Sequence, residues 1–233
     1  MSKSGRTAAE NEDSCAADAA RGRFAVADGA STSARPEIWS RLLVDAFVRD
    51  RLDPLAPDVL GQLREQWWQQ VWAPDLPWFA HEKLLLGAAA AFVGLCVSAD
   101  PGVADQPSAT NRYRARAVGD SCLLHLRGHR VLVAGPLDRP AGFSRFVELL
   151  HSGRQAPPPA DAVWEVRGTF RPGDVFVLAS DTAAKNLLAE YTECGYAPEQ
   201  AKRLARRSLF DDFVAQVRDS GQNDDMTVCV VGT

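Results

Sequence analysis

Three apolar runs far apart in this sequence each meet an aspartate at one end, and this constrains the fold more than any other feature. Phe24-Ala25-Val26-Ala27 stops at Asp28-Gly29, Val175-Phe176-Val177-Leu178-Ala179 stops just before Asp181, and Met226 to Val231 follows directly on Asp224 and Asp225. A short apolar run halted by turn residues reads as a buried strand. If the three strands are neighbours their acids converge, and like charges that close cannot all stay ionised without protons or cations to compensate. Hard oxygen donors select magnesium or manganese rather than zinc. Gly29, lacking a side chain, lets its own carbonyl come close to an ion, and Glu12-Asp13 adds two carboxylates. Taken singly, each aspartate also has an ordinary explanation as a turn or helix N-cap residue, Asp181 above all because a helix follows it. The joint pattern carries the argument.

The rest of the chain supplies the elements around those strands. Ile38, Leu42, Ala46 and Phe47 recur at helical spacing over Pro36–Leu52, with Pro36 suited to a first turn, and Leu60, Leu63, Trp67 and Val71 repeat the pattern over Asp58–Trp72. Leu84–Val97 is read as a helix end followed by a strand, and Ala99–Ser108 as a loop. Arg112–Val118 alternates, and with Cys122–Leu126 and Arg130–Val133 it predicts an antiparallel meander. Glycine and proline rise over 135–160, which predicts a surface insertion with one short helix at Phe143–Leu150 rather than a domain boundary. Helical patterning returns from Asp181 through Tyr191 and from Pro198 to Arg218. Strands and helices interleave without a parallel-sheet rhythm or a repeat. The 233 residues, 46% of them apolar, fit a single domain over 1–233.

Charge and cysteine usage exclude several classes. The net charge of -4 is spread along the chain with no dense cationic face, so neither nucleic acid nor a membrane surface is an expected partner. Cys15, Cys96, Cys122, Cys194 and Cys229 are odd in number and include no C-x-x-C pair, against a disulfide framework or a zinc site. No secretory signal is read at the start, and the apolar stretch Leu84–Val97 falls short of the ~20 residues a spanning helix needs. A cytoplasmic protein with protein partners is expected. His81, His125, His129 and His151 lack ligand-like spacing, and His125 is read as solvent-facing or hydrogen-bonded. Trp67, Trp68, Trp72 and Trp78 are read mainly as core, with Trp68 the exposed one.

Five short motifs in order resemble those of the PPM family, the type 2C metal-dependent serine/threonine protein phosphatases: Asn11-Glu12-Asp13-Ser14, Phe24-Ala25-Val26-Ala27-Asp28-Gly29, Val118-Gly119-Asp120-Ser121, Leu178-Ala179-Ser180-Asp181 and Asp224-Asp225-Met226-Thr227-Val228. The resemblance runs nearly end to end, in a form similar to a divergent bacterial branch. It implies an α+β fold, a four-layer α-β-β-α sandwich of two mostly antiparallel sheets flanked by helices, with the metal site at one edge between the sheets. It implies two Mn2+ or Mg2+ ions: Asp28 bridging both, Gly29 giving its carbonyl, Asp181 and Asp224 holding the first, Glu12 and Asp13 positioning the second through water. The implied chemistry is in-line attack on phosphorus by a water between the ions, with no covalent intermediate. Phosphoprotein substrates in a circuit with a serine/threonine kinase are implied as partners.

The departures are specific. Ala30-Ser31-Thr32 stands where the family shows Met-Gly-Gly, and Thr182 and Lys185 replace a glycine and an acid. Asp120 is therefore either a ligand of a third ion or structural. Ala8 stands where the family's phosphate-binding arginine falls, leaving Arg6 or Lys83 as substitutes, with Arg6 the substrate-binding candidate. The alternatives are a pseudophosphatase serving as a phosphoprotein-binding or regulatory module, and a phosphatase for small esters with a narrower mouth.

Overall fold

The structure is a computed structural model; it describes residues 1–98, 111–143, 147–153, 157–195, 201 and 203–233. One sheet has the order β1 (Ser14–Asp18), β2 (Arg23–Gly29), β3 (Ala89–Ser98), β4 (Arg112–Val118), β8 (Trp164–Thr169), with β7 (Leu150–His151) added on β3. The other has the order β10 (Val228–Gly232), β9 (Val175–Ala179), β5 (Cys122–Arg127), β6 (Arg130–Gly135). Every pairing between these strands is antiparallel.

Alternation along the strands builds the layers. Val26, Val93, Leu95, Ala115 and Ala117 of the first sheet meet Leu123, Phe176 and Leu178 of the second, forming an apolar core between the sheets. The residues between them point outward. Ala25, Ala27, Ala90 and Phe92 carry α1 (Pro36–Val48) and α2 (Pro57–Val71), while Leu124, Leu126, Val177 and Ala179 carry α4 (Asp181–Cys194) and α5 (Arg207–Asp219). The result is the expected four-layer sandwich. The small Ala88–Ala91 stretch lets α1 sit close, where Trp39 Nε1 donates to Leu150 O at 2.8 Å. Gly94 leaves room for Phe47: a Cβ there would lie 2.8 Å from the ring.

Several expectations need correction. The meander breaks after β4: β4 pairs β3 in one sheet and β5 pairs β6 and β9 in the other. Alternation reveals a strand but not which sheet it joins, and Gly119-Asp120-Ser121 carries the chain across. Gly119 makes the crossing possible, with φ +94° and Ala91 Cβ only 2.6 Å from where its own Cβ would lie. At Phe143–Leu150 the end of the expected helix is strand instead, Leu150 pairing Ala90, and 144–146 lie outside the described residues. The loop expected at Ala99–Ser108 and positions 196–200 and 202 of the last helical stretch also lie outside them. The last strand starts at Val228, because Thr227 is used to tie β10 to Ser180. Trp68 is half-buried against Trp67, whereas Trp72 and Trp78, beyond α2, are the exposed ones at 48% and 71%. α3 (Trp78–Leu86) buries Leu84 alone.

Candidate metal centre

The acidic residues come together at one end of the sandwich, and each owes its place to a strand end. Asp28 is the penultimate residue of β2, opposite Ala91. Asp13 immediately precedes β1, and its N–H donates to Asn11 Oδ1 at 2.9 Å. Asp181 opens α4 straight after Ser180, and its N–H donates to Asp28 Oδ2 at 3.3 Å. Ser180 clamps β9 to the approach of β10 by two bonds of 3.0 Å: its N–H donates to Thr227 O, and Thr227 N–H to its Oγ. Asp120 lies on the link between the sheets, and Asp224 just before β10. Asp181 Oδ1 also accepts the N–H of the next residue, Thr182, but Asp181 is the first residue of α4 and Ser180 holds the N-cap position, so the helix-cap reading of Asp181 is corrected.

Charge is unbalanced here. Neither carboxylate oxygen of Asp13 has a hydrogen-bond partner although the residue is buried. Burial pushes its carboxyl up to about 7, with Asp28, Ser180 and Thr227 beside it offsetting only part of the effect. Burial raises Asp28 well above the ordinary range, and the charges of Asp13, Asp181 and Asp120 raise it further. Asp120 is pushed up to about 7 by burial and then by Asp181 and Asp224; Asp181 is raised by burial and then by Asp224. Buried acids that repel one another in this way are a signature of a functional site.

Glu12 is the balanced acid. Burial alone would raise it, but Ser31 Oγ, Lys3 and Arg6 outweigh burial and hold it low. Lys3 Nζ lies 2.9 Å from Glu12 Oε2, and Arg6 Nη1 donates to Oε1 at 3.1 Å. The same Lys3 ammonium stands 3.0 Å from Asp224 Oδ1. Asp225, only 3% exposed, holds the segment in place, accepting from Lys3 N at 2.6 Å and from Glu12 N at 2.8 Å. The glycine at 29 has a steric reason of its own: a Cβ would lie 2.7 Å from Glu12 O.

The structure thus brings Asp13, Asp28, Asp120, Asp181 and Asp224 within electrostatic reach of one another. Glu12 joins through Lys3, and Arg6 through Glu12. Lys83, in α3, is exposed and lines a groove with Ala34, Val71, Leu76 and Leu84. Lys3, Ser31 and the anchoring role of Asp225 escaped the sequence reading. Only Asp225 had a visible signal there, as the second acid of the Asp224-Asp225 pair. The donor set suits a hard divalent cation, since the partnerless oxygens of buried Asp13 beside the half-buried Asp28 are acceptors in want of positive charge. Among the described residues, however, no three His, Cys, Asp or Glu side chains already stand in metal-holding geometry.

No family model and no curated protein sequence matches the chain. Solved structures do, and they show the fold: it is that of the PPM-type serine/threonine phosphatases. The catalytic domain of the serine/threonine phosphatase PstP, determined with two manganese ions, is 18% identical over 99% of this chain and 94% of that one, at a TM-score of 0.57. Stp1 from Staphylococcus aureus is 11% identical over 100% and 92%, at 0.62. PppA, described as a key regulatory component of the T6SS in Pseudomonas aeruginosa, is 21% identical over 94% and 89%, at 0.56. Among the described residues no helix is long and apolar enough to cross a membrane.

Proposed function

We propose that this chain is a metal-dependent phosphoprotein phosphatase, hydrolysing phosphoserine and phosphothreonine with a water held between two Mn2+ or Mg2+ ions. The observation that carries the reading is the mutually repelling set of Asp13, Asp28, Asp120 and Asp181 at one end of a phosphatase fold, Asp13 buried and the other three half-buried. In this reading Asp28 would hold both ions and Gly29 would give its carbonyl, Asp181 and Asp224 would hold the first, and Glu12 with Asp13 would position the second through water. When bound, such ions supply an acidified water and neutralise charge on the transferring phosphoryl group. The protein's own part is to hold the carboxylates rigid on strand ends, to keep Asp13 ready to accept from water, and to offer Arg6 at the rim to a phosphate oxygen. Asp120 serves a third ion or braces the sheet crossing. The domain spans 1–233, and its partners are phosphoproteins in a serine/threonine kinase circuit of the cytoplasm.

A second reading, a phosphoprotein-binding regulatory module without turnover, draws on one observation: an ammonium already satisfies Glu12 and Asp224. Manganese-dependent phosphate release from a phosphothreonine peptide separates the two. Turnover is expected, falling on the order of 10³-fold in both Asp28→Asn and Asp224→Asn. Manganese binding without turnover in the wild-type protein would select the regulatory module.

A further inference from the structure

Lys3 does not reach the acidic end as a loose surface side chain. Its backbone is laid against the segment before β10: Lys3 N donates to Asp225 Oδ1 at 2.6 Å, Ser4 N to Asn223 Oδ1 at 2.8 Å, and Met226 N to Met1 O at 2.9 Å. Arg218 adds a bond from its guanidinium to Ser2 O. Because the Asp225 carboxylate also takes the Glu12 N–H, one buried group sets the register of Lys3 against Glu12. The ammonium is then delivered between two acids more than two hundred residues apart, 2.9 Å from Glu12 Oε2 and 3.0 Å from Asp224 Oδ1, with Ser31 Oγ as a third partner. The Lys3 side chain keeps only 16% of its exposure and that of Glu12 11%, so the contact is partly withdrawn from water and is stronger than a surface pair.

These two acids are the ones assigned to different ions in the phosphatase reading. We infer that Lys3 is a tethered competitor of the divalent cation: its ammonium occupies Glu12 and Asp224, and an ion takes those carboxylates only by displacing it. The inference rests on the metal-dependent reading. It goes further by making the segment before the short 3-10 turn at Ala8–Glu10 the element that sets how much metal the site requires. A single positive charge on a four-carbon stem suits the task, since Lys3 can swing to solvent while its backbone stays held at Asp225. Displacement exchanges one ion pair for another, so metal affinity is lower than the carboxylates alone would give.

The test is manganese binding by titration calorimetry to the full chain and to Lys3→Met, which keeps the stem and removes the charge. Amine labelling of Lys3 in the wild-type protein, followed by mass spectrometry with and without manganese, accompanies it. Competition predicts about tenfold tighter binding in Lys3→Met, wild-type affinity in Lys3→Arg, and faster labelling of Lys3 at saturating manganese. Equal or weaker binding in Lys3→Met together with unchanged labelling means a purely structural ion pair and overturns the inference while leaving the phosphatase reading intact. No manganese binding by either folded protein removes the metal-dependent reading itself and the inference with it. The labelling needs no variant, so a misfolded Lys3→Met would leave the question decidable.

Discussion

β9 carries an acid withdrawn from water at each end, Asp174 fully and Asp181 partly, and the protein treats the two oppositely. Asp174, 1% exposed, precedes the strand and is fully supplied: Arg127 donates to it at 2.8 and 2.7 Å, Arg171 N at 3.0 Å and His125 Nε2 at 2.9 Å. Burial would raise its pKa, yet Arg127, the Arg171 amide and His125 outweigh burial and hold it far below the ordinary range. His125 itself is lowered by burial, although the contact with Asp174 works to raise it. Seven residues later Asp181 enters a cluster where burial and then the charge of Asp224 raise it, outweighing the hydrogen bonds from Thr182 and with Asp28. Depth does not decide the charge of a buried carboxyl; the supply of donors does. One end is finished as structure, and the other is left in want of positive charge.

The largest effect expected from this contrast is in pH. Asp13, pushed up to about 7 from an ordinary 3.8, holds its proton more tightly folded than unfolded. Its contribution to stability is complete below the ordinary 3.8 and is lost as pH rises through about 7, which at about 1.4 kcal/mol per unit amounts to about 4–5 kcal/mol. Asp174 has the opposite sign, its contribution being present above the ordinary carboxyl range and lost only in stronger acid. Urea midpoints in chelator should therefore fall from about pH 4 to about pH 8, and saturating manganese should flatten the fall. A flat profile in chelator breaks the contrast.

Next in size is Asp174→Asn. Removing the charge leaves Arg127 and His125 facing an amide and should cost about 2–3 kcal/mol, limited because the Arg127 side chain is still open to water. Turnover per folded molecule should not change; a parallel loss of turnover would mean that the two ends are not independent. The smallest effect is expected of Arg6→Ala, whose guanidinium reaches Glu12 from the rim with 40% of its side chain exposed. KM for a phosphopeptide should rise about threefold to tenfold with kcat and the urea midpoint unmoved. An unchanged KM would exclude Arg6 from phosphate binding.

Much of this was legible in the sequence, for identifiable reasons. β2 and β9 announce themselves because a strand buried on both faces must be continuously apolar, β10 because its apolar run follows directly on two acids, and α1 and α2 because each shows one apolar stripe to the sheet. Acids at the ends of such strands mark the site. What stayed hidden depends on tertiary pairing. Nothing in Arg112–Arg127 says that β4 and β5 part into different sheets, nor that Asp174 differs from any polar residue at a strand start. Lys3 carries no pattern at all, since its meaning comes from Asp225 and Asn223 at the far end of the chain.

The crossing at Gly119-Asp120-Ser121 has a mechanical consequence. Between Val118, the last residue of β4, and Cys122, the first of β5, an extended chain reaches roughly 14 Å at ~3.5 Å per residue, while packed sheets stand about 10 Å apart. The strap has little slack, and the left-handed Gly119 pressed on Ala91 leaves it few other shapes. Asp120 therefore behaves as a strain gauge: of all the acids at this end, it is the one mounted on a taut tether between the sheets, and a slide of one sheet over the other would be felt there first.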